Sequence, residues 1–213
     1  MEVKRAAIVI VGCGPGSPDY LTPLARQGVE QAEVLIGASR LLDLFPEHPG
    51  ERVVVGADLE GVLREIDARR HRKVAVLVTG DSGLCSLAQP VIKRFGRDAC
   101  ELVPGISSIQ VAFARVGLDW LDARIIDAHG AIPDIESGSL ADEAKIAILA
   151  GKLESLGWVA RLARMLGDGY RIYACENLTL PEERMRSVRS ADLDGLDVSS
   201  RTVFLLIKET LLK

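Results

Sequence analysis

Short, largely apolar runs alternate with segments of helical spacing through the first half of the chain. The runs at 7–11, 34–36, 52–55, 73–78 and 101–103 are strand-sized and do not alternate with polar positions. Strands apolar on both sides belong in a parallel sheet covered by helices on both faces. Between them, Thr22 followed by Pro23 marks a helix start over 22–31. Ser39 is expected to cap a helix over 40–45 that Pro46 ends. Leu59, Val62, Leu63 and Ile66 recur at helical spacing. A helix over 84–95 is expected to kink at Pro90. Ser107 to Val116 reads as a helix with Gly117 as its C-cap.

The pattern changes after residue 118. The run Leu118-Asp119-Trp120-Leu121-Asp122 reads as a linker, giving an N-terminal domain over 1–118 and a C-terminal domain over 119–213. Strands are expected at 124–126, 145–149, 170–175 and 202–208, a helix at 158–166, and a loop at 132–140. The fold class is therefore α/β, with two α/β domains.

Composition narrows the possibilities. Hydrophobic residues make up 48% and charged residues 26% of the 213 positions, an ordinary globular balance. No apolar run approaches the ~18 residues of a transmembrane helix. Residues 1–5 carry charges and lead directly into a strand, without a signal-peptide core, so a cytoplasmic protein is expected. The net charge of −4 and the absence of a basic stripe speak against nucleic acid. Cys13, Cys85, Cys100 and Cys175 are scattered, as are His48, His71 and His129; neither set makes a metal or disulfide pattern. All four thiols are expected to be reduced and largely buried.

Three glycine-bearing loops leave the ends of apolar strands. Gly12-Cys13-Gly14-Pro15-Gly16-Ser17 follows the first. Its G-x-G-x-G spacing, with Pro15 lacking an N–H and the helix delayed to Thr22, does not fit the dinucleotide fingerprint G-x-G-x-x-G. No acidic residue closes the second strand, and no Gly-Lys-Ser/Thr forms a phosphate loop. Thr79-Gly80-Asp81-Ser82-Gly83-Leu84 follows the fourth strand and Pro104-Gly105-Ile106-Ser107-Ser108 the fifth. Asp81 can bond a hydroxyl or an ammonium group, or cap a helix. Ser107 and Ser108 can each cap a helix or bind a ligand. Ligands of open α/β sheets sit beyond the carboxyl ends of the strands, where these loops converge.

Taken in order, Gly12–Thr22 (G-x-G-P-G-x4-L-T), Gly80-Asp81 and Val103-Pro104-Gly105-Ile106-Ser107-Ser108 resemble the tetrapyrrole methylase superfamily. The similarity continues in His129-Gly130, Ala150-Gly151 and Glu176-Asn177-Leu178. Within 106–127, Gln110, Ala112–Arg115, Gly117-Leu118 and Trp120 resemble the C-5 methyltransferases of cobalamin biosynthesis. The resemblance implies a class III methyltransferase fold, with a parallel sheet in the first half, a mixed sheet in the second and a cofactor cleft between the domains. It implies S-adenosylmethionine (SAM) as methyl donor, S-adenosylhomocysteine as product, a (cobalt-)precorrin substrate, no metal and a homodimer. Pro15, Thr79, Gly80, Asp81, Leu84, Ser107, Ser108, Ala150 and Leu178 match cofactor-contacting positions. Asp81 and His129 are the candidate bases for removing a proton after methylation, whereas Glu176 reads as a structural ion pair. Arg26, Arg40, Arg115, Arg184 and Arg186 are candidate partners for substrate carboxylates.

The chain departs from the superfamily pattern at Ser82, where proline is common, at Leu84-Cys85, where an aromatic residue is common, and at Ala131, where arginine is common. Other members methylate ribosomal RNA at 2′-O, uroporphyrinogen or a diphthine precursor. A non-catalytic SAM-binding protein is a further alternative.

Overall fold

A computed structural model describes residues 7–134, 140–151 and 153–212. The chain divides into two compact units, Met1–Ser107 and Ser108–Lys213. The division precedes the helix that the apolar pattern grouped with the first domain.

The first unit holds β1 (Ile8–Gly12), α1 (Pro23–Glu30), β2 (Val34–Gly37), α2 (Ser39–Leu42), β3 (Glu51–Val54), α3 (Leu59–Arg69), β4 (Val74–Val78), α4 (Ala88–Phe95) and β5 (Cys100–Val103). Its five strands are all parallel, in the order β3-β2-β4-β1-β5. β1 and β4 are buried along their whole length, as their unbroken apolar runs require. Helices α1 and α2 cover one face, packing Ala25, Val29, Leu41 and Leu42 on Val9, Val11, Leu35 and Leu77. Helices α3 and α4 cover the other, packing Val62, Leu63, Ile66, Ala88 and Val91 on Ile8, Ile10, Val74 and Val76.

The Thr22 hydroxyl accepts the Ala25 N–H at 3.1 Å and Pro23 opens α1, as the sequence implies. Two helix expectations need correction. Ser39 is the first residue of α2 rather than its cap, and α2 ends at Leu42. Beyond it, Leu44 and Phe45 donate to Leu41 and Leu42, three residues back, so the last turn tightens out of the α-helix. Helix α4 begins at Ala88, not at 84, and Pro90 causes no kink. Proline is tolerated only in the first turn, where the N–H has no intrahelical partner. Pro90 thus fixes where the helix can start. Ser86 Oγ, which accepts the Ala88 N–H at 3.1 Å, closes the preceding turn.

The second unit holds α5 (Ser108–Val116), β6 (Arg124–Ala128), β7 (Lys145–Ala150), α6 (Leu153–Leu166), β8 (Tyr170–Glu176), β9 (Arg184–Val188) and β10 (Thr202–Lys208). Gly117 ends α5 at φ +73°, and α5 lies against β10. The sheet order is β6-β7-β10-β8-β9. β6 and β7 are parallel; β10 is antiparallel to both β7 and β8, and β9 to β8. Trp158, Val159 and Leu162 of α6 pack on Ile146, Ile148, Phe204 and Leu206. Strand β9 was not expected. Its sequence, Arg-Met-Arg-Ser-Val, is an edge strand whose charged positions hide the apolar signal. Residues 135–139 of the expected 132–140 loop lie outside the described residues.

Cys13 and Cys175 are buried, Cys100 is half-buried and Cys85 is exposed, so burial does not extend to all four thiols. Cys85 stands in the turn ahead of α4 at φ +47°.

Candidate functional site

Adjacent strands β1 and β4 send their following loops to opposite faces of the first sheet, one to α1 and the other toward α4. Such divergence opens a crevice at the carboxyl ends of the strands. Backbone bonds define its floor. Gly14 N–H donates to the Gly80 carbonyl at 3.1 Å, and Gly80 N–H to the Gly14 carbonyl at 2.8 Å. Both glycines have positive φ, +73° and +70°.

Gly12, Gly80 and Gly105 approach one another closely. A Cβ at Gly105 would lie 2.3 Å from the Gly80 oxygen, and one at Gly12 would lie 2.6 Å from the Gly105 nitrogen. These glycines therefore let three strand ends pack without side chains between them.

Asp81 ties two of the three loops together. Its Oδ1 accepts the Gly83 N–H at 2.8 Å, and its Oδ2 accepts the Gly105 N–H at 2.9 Å. The carboxylate thus bridges the loop after β4 to the loop after β5. Pro15 is buried beside the first loop, Thr79 is exposed, and Leu84 is half-buried. Ser107 is buried immediately before α5, and Ser108 is the first residue of that helix. Burial pushes the Cys13 thiol up to about 12, against the smaller opposing effects of its Val78 hydrogen bond and the Arg40 charge. It is a packed thiol and not a nucleophile.

The second sheet has its own row of strand ends. β6, β7 and β8 run in the same direction, and pairing aligns Ala128 with Ala150, Ala150 with Thr202, and Thr202 with Glu176. The sequences that follow, His129-Gly130, Gly151 and Asn177-Leu178, consequently share one sheet edge. His129 is exposed, its Nδ1 lies 3.5 Å from Asp127 Oδ1, and its ring packs against Gly151. Ala150 is buried. Leu178 is buried between Asn177 and Thr179, both in left-handed backbone conformation at φ +48° and +71°.

Glu176 is sealed in this edge. Arg184 grips it through two bonds of 2.9 Å, Arg186 through bonds of 3.1 and 2.8 Å, and Ser199 N–H donates at 3.1 Å. Burial alone would raise its pKa. The Arg184, Ser199 and Arg186 hydrogen bonds outweigh that effect and hold it below the ordinary carboxylate value. This is the structural ion pair read from the sequence. It also absorbs two of the candidate arginines. Arg115 is bound to Glu183 at 2.6 Å. Arg26 donates to the Pro18 carbonyl at 2.8 Å, and Arg40 to the Thr79 hydroxyl. Neither the Arg40–Thr79 bond nor the Asp81 bridge has a local sequence signal, because both join residues far apart in the chain.

Together, the glycine interlock, the Asp81 bridge and the order of the strands define a methylase of the tetrapyrrole type. Residues 7–194 match the Tetrapyrrole (Corrin/Porphyrin) Methylases, and the chain belongs to that family. It is 32% identical to the cobalt-precorrin-7 C(5)-methyltransferase of Salmonella typhimurium, over 84% of this chain and 88% of that one. It is 29% identical to a probable cobalt-precorrin-7 C(5)-methyltransferase of Methanocaldococcus jannaschii, over 92% of this chain and 95% of that one. Among solved structures, precorrin-6Y methylase (CbiE) of Archaeoglobus fulgidus superposes with a TM-score of 0.71 at 27% identity, covering 95% of this chain and 97% of that one. Uroporphyrin-III C-methyltransferase of Thermus thermophilus, complexed with S-adenosyl homocysteine, shares the fold at TM-score 0.78 and 22% identity, over 97% and 99% of the two chains.

Proposed function

We propose that this protein transfers a methyl group from SAM to C-5 of a cobalt-precorrin in cobalamin biosynthesis. The observation that carries the reading is the Asp81 bridge across the glycine-lined crevice, in a chain similar over most of its length to enzymes named for that reaction.

The residues of the crevice suit such a donor. Thr79 offers a hydroxyl at its rim, the glycines bare their backbone, and Pro15 and Leu84 supply apolar contacts. Ser107 and Ser108 add hydroxyls at the start of α5. Ala150 and Leu178 are the cofactor contacts proposed for the second unit, on the resemblance.

Bound SAM supplies a methyl carbon already activated by its sulfonium. The protein's task is alignment of that carbon with a nucleophilic ring carbon, which is worth several kcal/mol of barrier. Asp81 serves this by fixing two loops in register. Both of its oxygens are engaged by backbone N–H groups, which favours a positioning role over proton removal. His129, with an exposed ring oriented by Asp127, is the proposed base.

Among the described residues, no helix is long and apolar enough to cross a membrane. We propose a cytoplasmic homodimer on the family resemblance; sedimentation of the purified protein tests its oligomeric state.

Calorimetric titration with SAM, S-adenosylhomocysteine and NAD tests the cofactor. Micromolar binding of the first two and none of NAD is the expected result. NAD binding without a response to SAM would overturn the reading. Incubation with cobalt-precorrin-7 and SAM should then add 14 mass units, the mass of CH2, to the tetrapyrrole.

A further inference from the structure

We propose that Glu183 is a positioning residue for the methyl donor, its carboxylate holding the Thr179 N–H and so fixing the turn that carries Leu178. The inference rests on the function proposed above and adds a residue that acts through another.

Its first support is the shape of the turn. Leu178, a proposed donor contact, stands between Asn177 and Thr179, both in the left-handed region at φ +48° and +71°. Asparagine tolerates that region, but for a side chain branched at Cβ it is a steric outlier. Such a conformation persists where the surrounding structure imposes it.

The second support is the set of bonds that impose it. On one side of Leu178, the Asn177 N–H donates to the Arg201 carbonyl at 3.0 Å, and Asn177 Oδ1 accepts the Ser199 hydroxyl at 2.7 Å. On the other side, Glu183 Oε2 accepts the Thr179 N–H at 2.6 Å. Between them the chain folds back on itself. The Leu180 N–H donates to the Asn177 carbonyl at 3.0 Å and the Glu183 N–H to the Leu180 carbonyl at 2.9 Å, which brings the Glu183 side chain within reach of Thr179.

The third support is that Glu183 is itself held in place. Arg115 Nε donates to its Oε1 at 2.6 Å and Nη2 to its Oε2 at 3.2 Å. Arg115 belongs to α5, whose first residue, Ser108, is another proposed donor contact. The two residues lie about two turns apart, on nearly the same stripe of the helix. The carboxylate therefore joins the helix that opens at Ser108 to the turn that carries Leu178, both within the second unit. The Arg115 hydrogen bond holds the Glu183 pKa below its ordinary value against the opposing effect of burial, and the Thr179 bond adds to it. The group is ionised at neutral pH and acts purely as an acceptor.

The test separates the Thr179 bond from the ion pair. Glu183→Ala removes both. Glu183→Gln loses the charge but keeps an oxygen able to accept the Thr179 N–H. Stability is measured by chemical denaturation, and SAM affinity by calorimetry on protein shown to be folded by circular dichroism. The kcat and KM are read from mass-detected methylation of cobalt-precorrin-7. Glu183→Ala should raise the Kd for SAM about tenfold, the loss of one charge-assisted hydrogen bond. Its kcat at saturating SAM and its KM for cobalt-precorrin-7 should stay within about twofold of wild type. Glu183→Gln should lose no more than about threefold in SAM affinity, although both variants lose the ion pair. Adding Thr179→Gly to Glu183→Ala should bring affinity back to within about threefold of wild type, because glycine adopts the left-handed conformation unaided. Should Glu183→Ala fail to fold, Glu183→Asp, whose carboxylate is one methylene short of Thr179, is read in its place by the same criteria. Equal weakening by alanine and glutamine would overturn the proposal and assign the effect to the ion pair. Unchanged SAM affinity in Glu183→Ala would overturn it whatever the loss of stability, as would a Thr179→Gly addition that restores nothing. A wild-type protein that binds no SAM would instead refute the underlying function, a result visible before any variant is made.

Discussion

Each sheet presents a carboxylate at the edge where its parallel strands end, and the two are held in opposite ways. Glu176 is buried and gripped chiefly by side chains, two arginines that also donate to the Asp197 carbonyl. Asp81 is half-exposed and held by backbone, joining N–H groups 22 residues apart in sequence, at Gly83 and Gly105. A charge neutralised by side chains stabilises the unit around it. A charge that organises backbone at an open crevice leaves the surrounding surface available to a ligand. The contrast teaches that the residue type and its place on a sheet edge do not distinguish a carboxylate sealed in a unit from one that organises an open crevice; the partners do.

The largest expected effect tests the close packing beneath Asp81. Gly105→Ala places a Cβ against two backbone carbonyls and should destabilise the first unit by about 3 kcal/mol or more, with loss of SAM binding. Gly151→Ala, on the other sheet edge, meets one carbonyl at 2.7 Å and the His129 ring at 2.9 Å, and the exposed ring can swing away. It should cost less in urea denaturation, and equal costs would break the contrast.

Next in size is Glu176→Ala. It leaves two guanidinium groups with no carboxylate and should cost roughly 2–3 kcal/mol, toward the low side for a buried pair because the arginines are partly exposed. Chemical denaturation measures it. Asp81→Asn should be milder for stability but weaken SAM binding about tenfold, since the amide can satisfy only one of the two N–H donors. Calorimetry decides; unaltered affinity would remove the bridge from the site. Turnover reduced in proportion to SAM occupancy would fit positioning, whereas abolished turnover at saturating SAM would restore Asp81 as a base.

The smallest effect is a pH dependence. The pKa of folded Glu176 lies below its ordinary value of 4.5. Its contribution to stability is therefore complete above that value and disappears as pH falls through the lower, folded value. The stability difference between wild type and Glu176→Gln should shrink progressively below about pH 4.5. A constant difference across acid pH would show that the pair contributes by packing rather than by charge.

The alternation of apolar runs made the first sheet legible, because both faces of its inner strands β1, β2 and β4 are covered and their residues must be apolar. Strand β9 was not, because an edge strand needs no such pattern. The boundaries of α2 and α4 were misplaced where local rules compete: Ser39 looks like a cap but lies inside the turn, and Pro90 reads as a kink unless the helix start is known. The candidate site was legible as three glycine loops in sequence order. The Asp81 bridge and the Arg40–Thr79 contact were not, since each depends on which strands become neighbours.

The placement of β10 has a consequence for synthesis. It separates β7 from β8 in the sheet, yet it is made after both, and its run Val-Phe-Leu-Leu-Ile is wholly buried. Until residue 208 leaves the ribosome, β7 and β8 each lack the neighbour that pairs them, while the first unit already has every strand it needs. The nascent second sheet therefore spends this interval with open, apolar edges, the period in which a chaperone would have the most to protect.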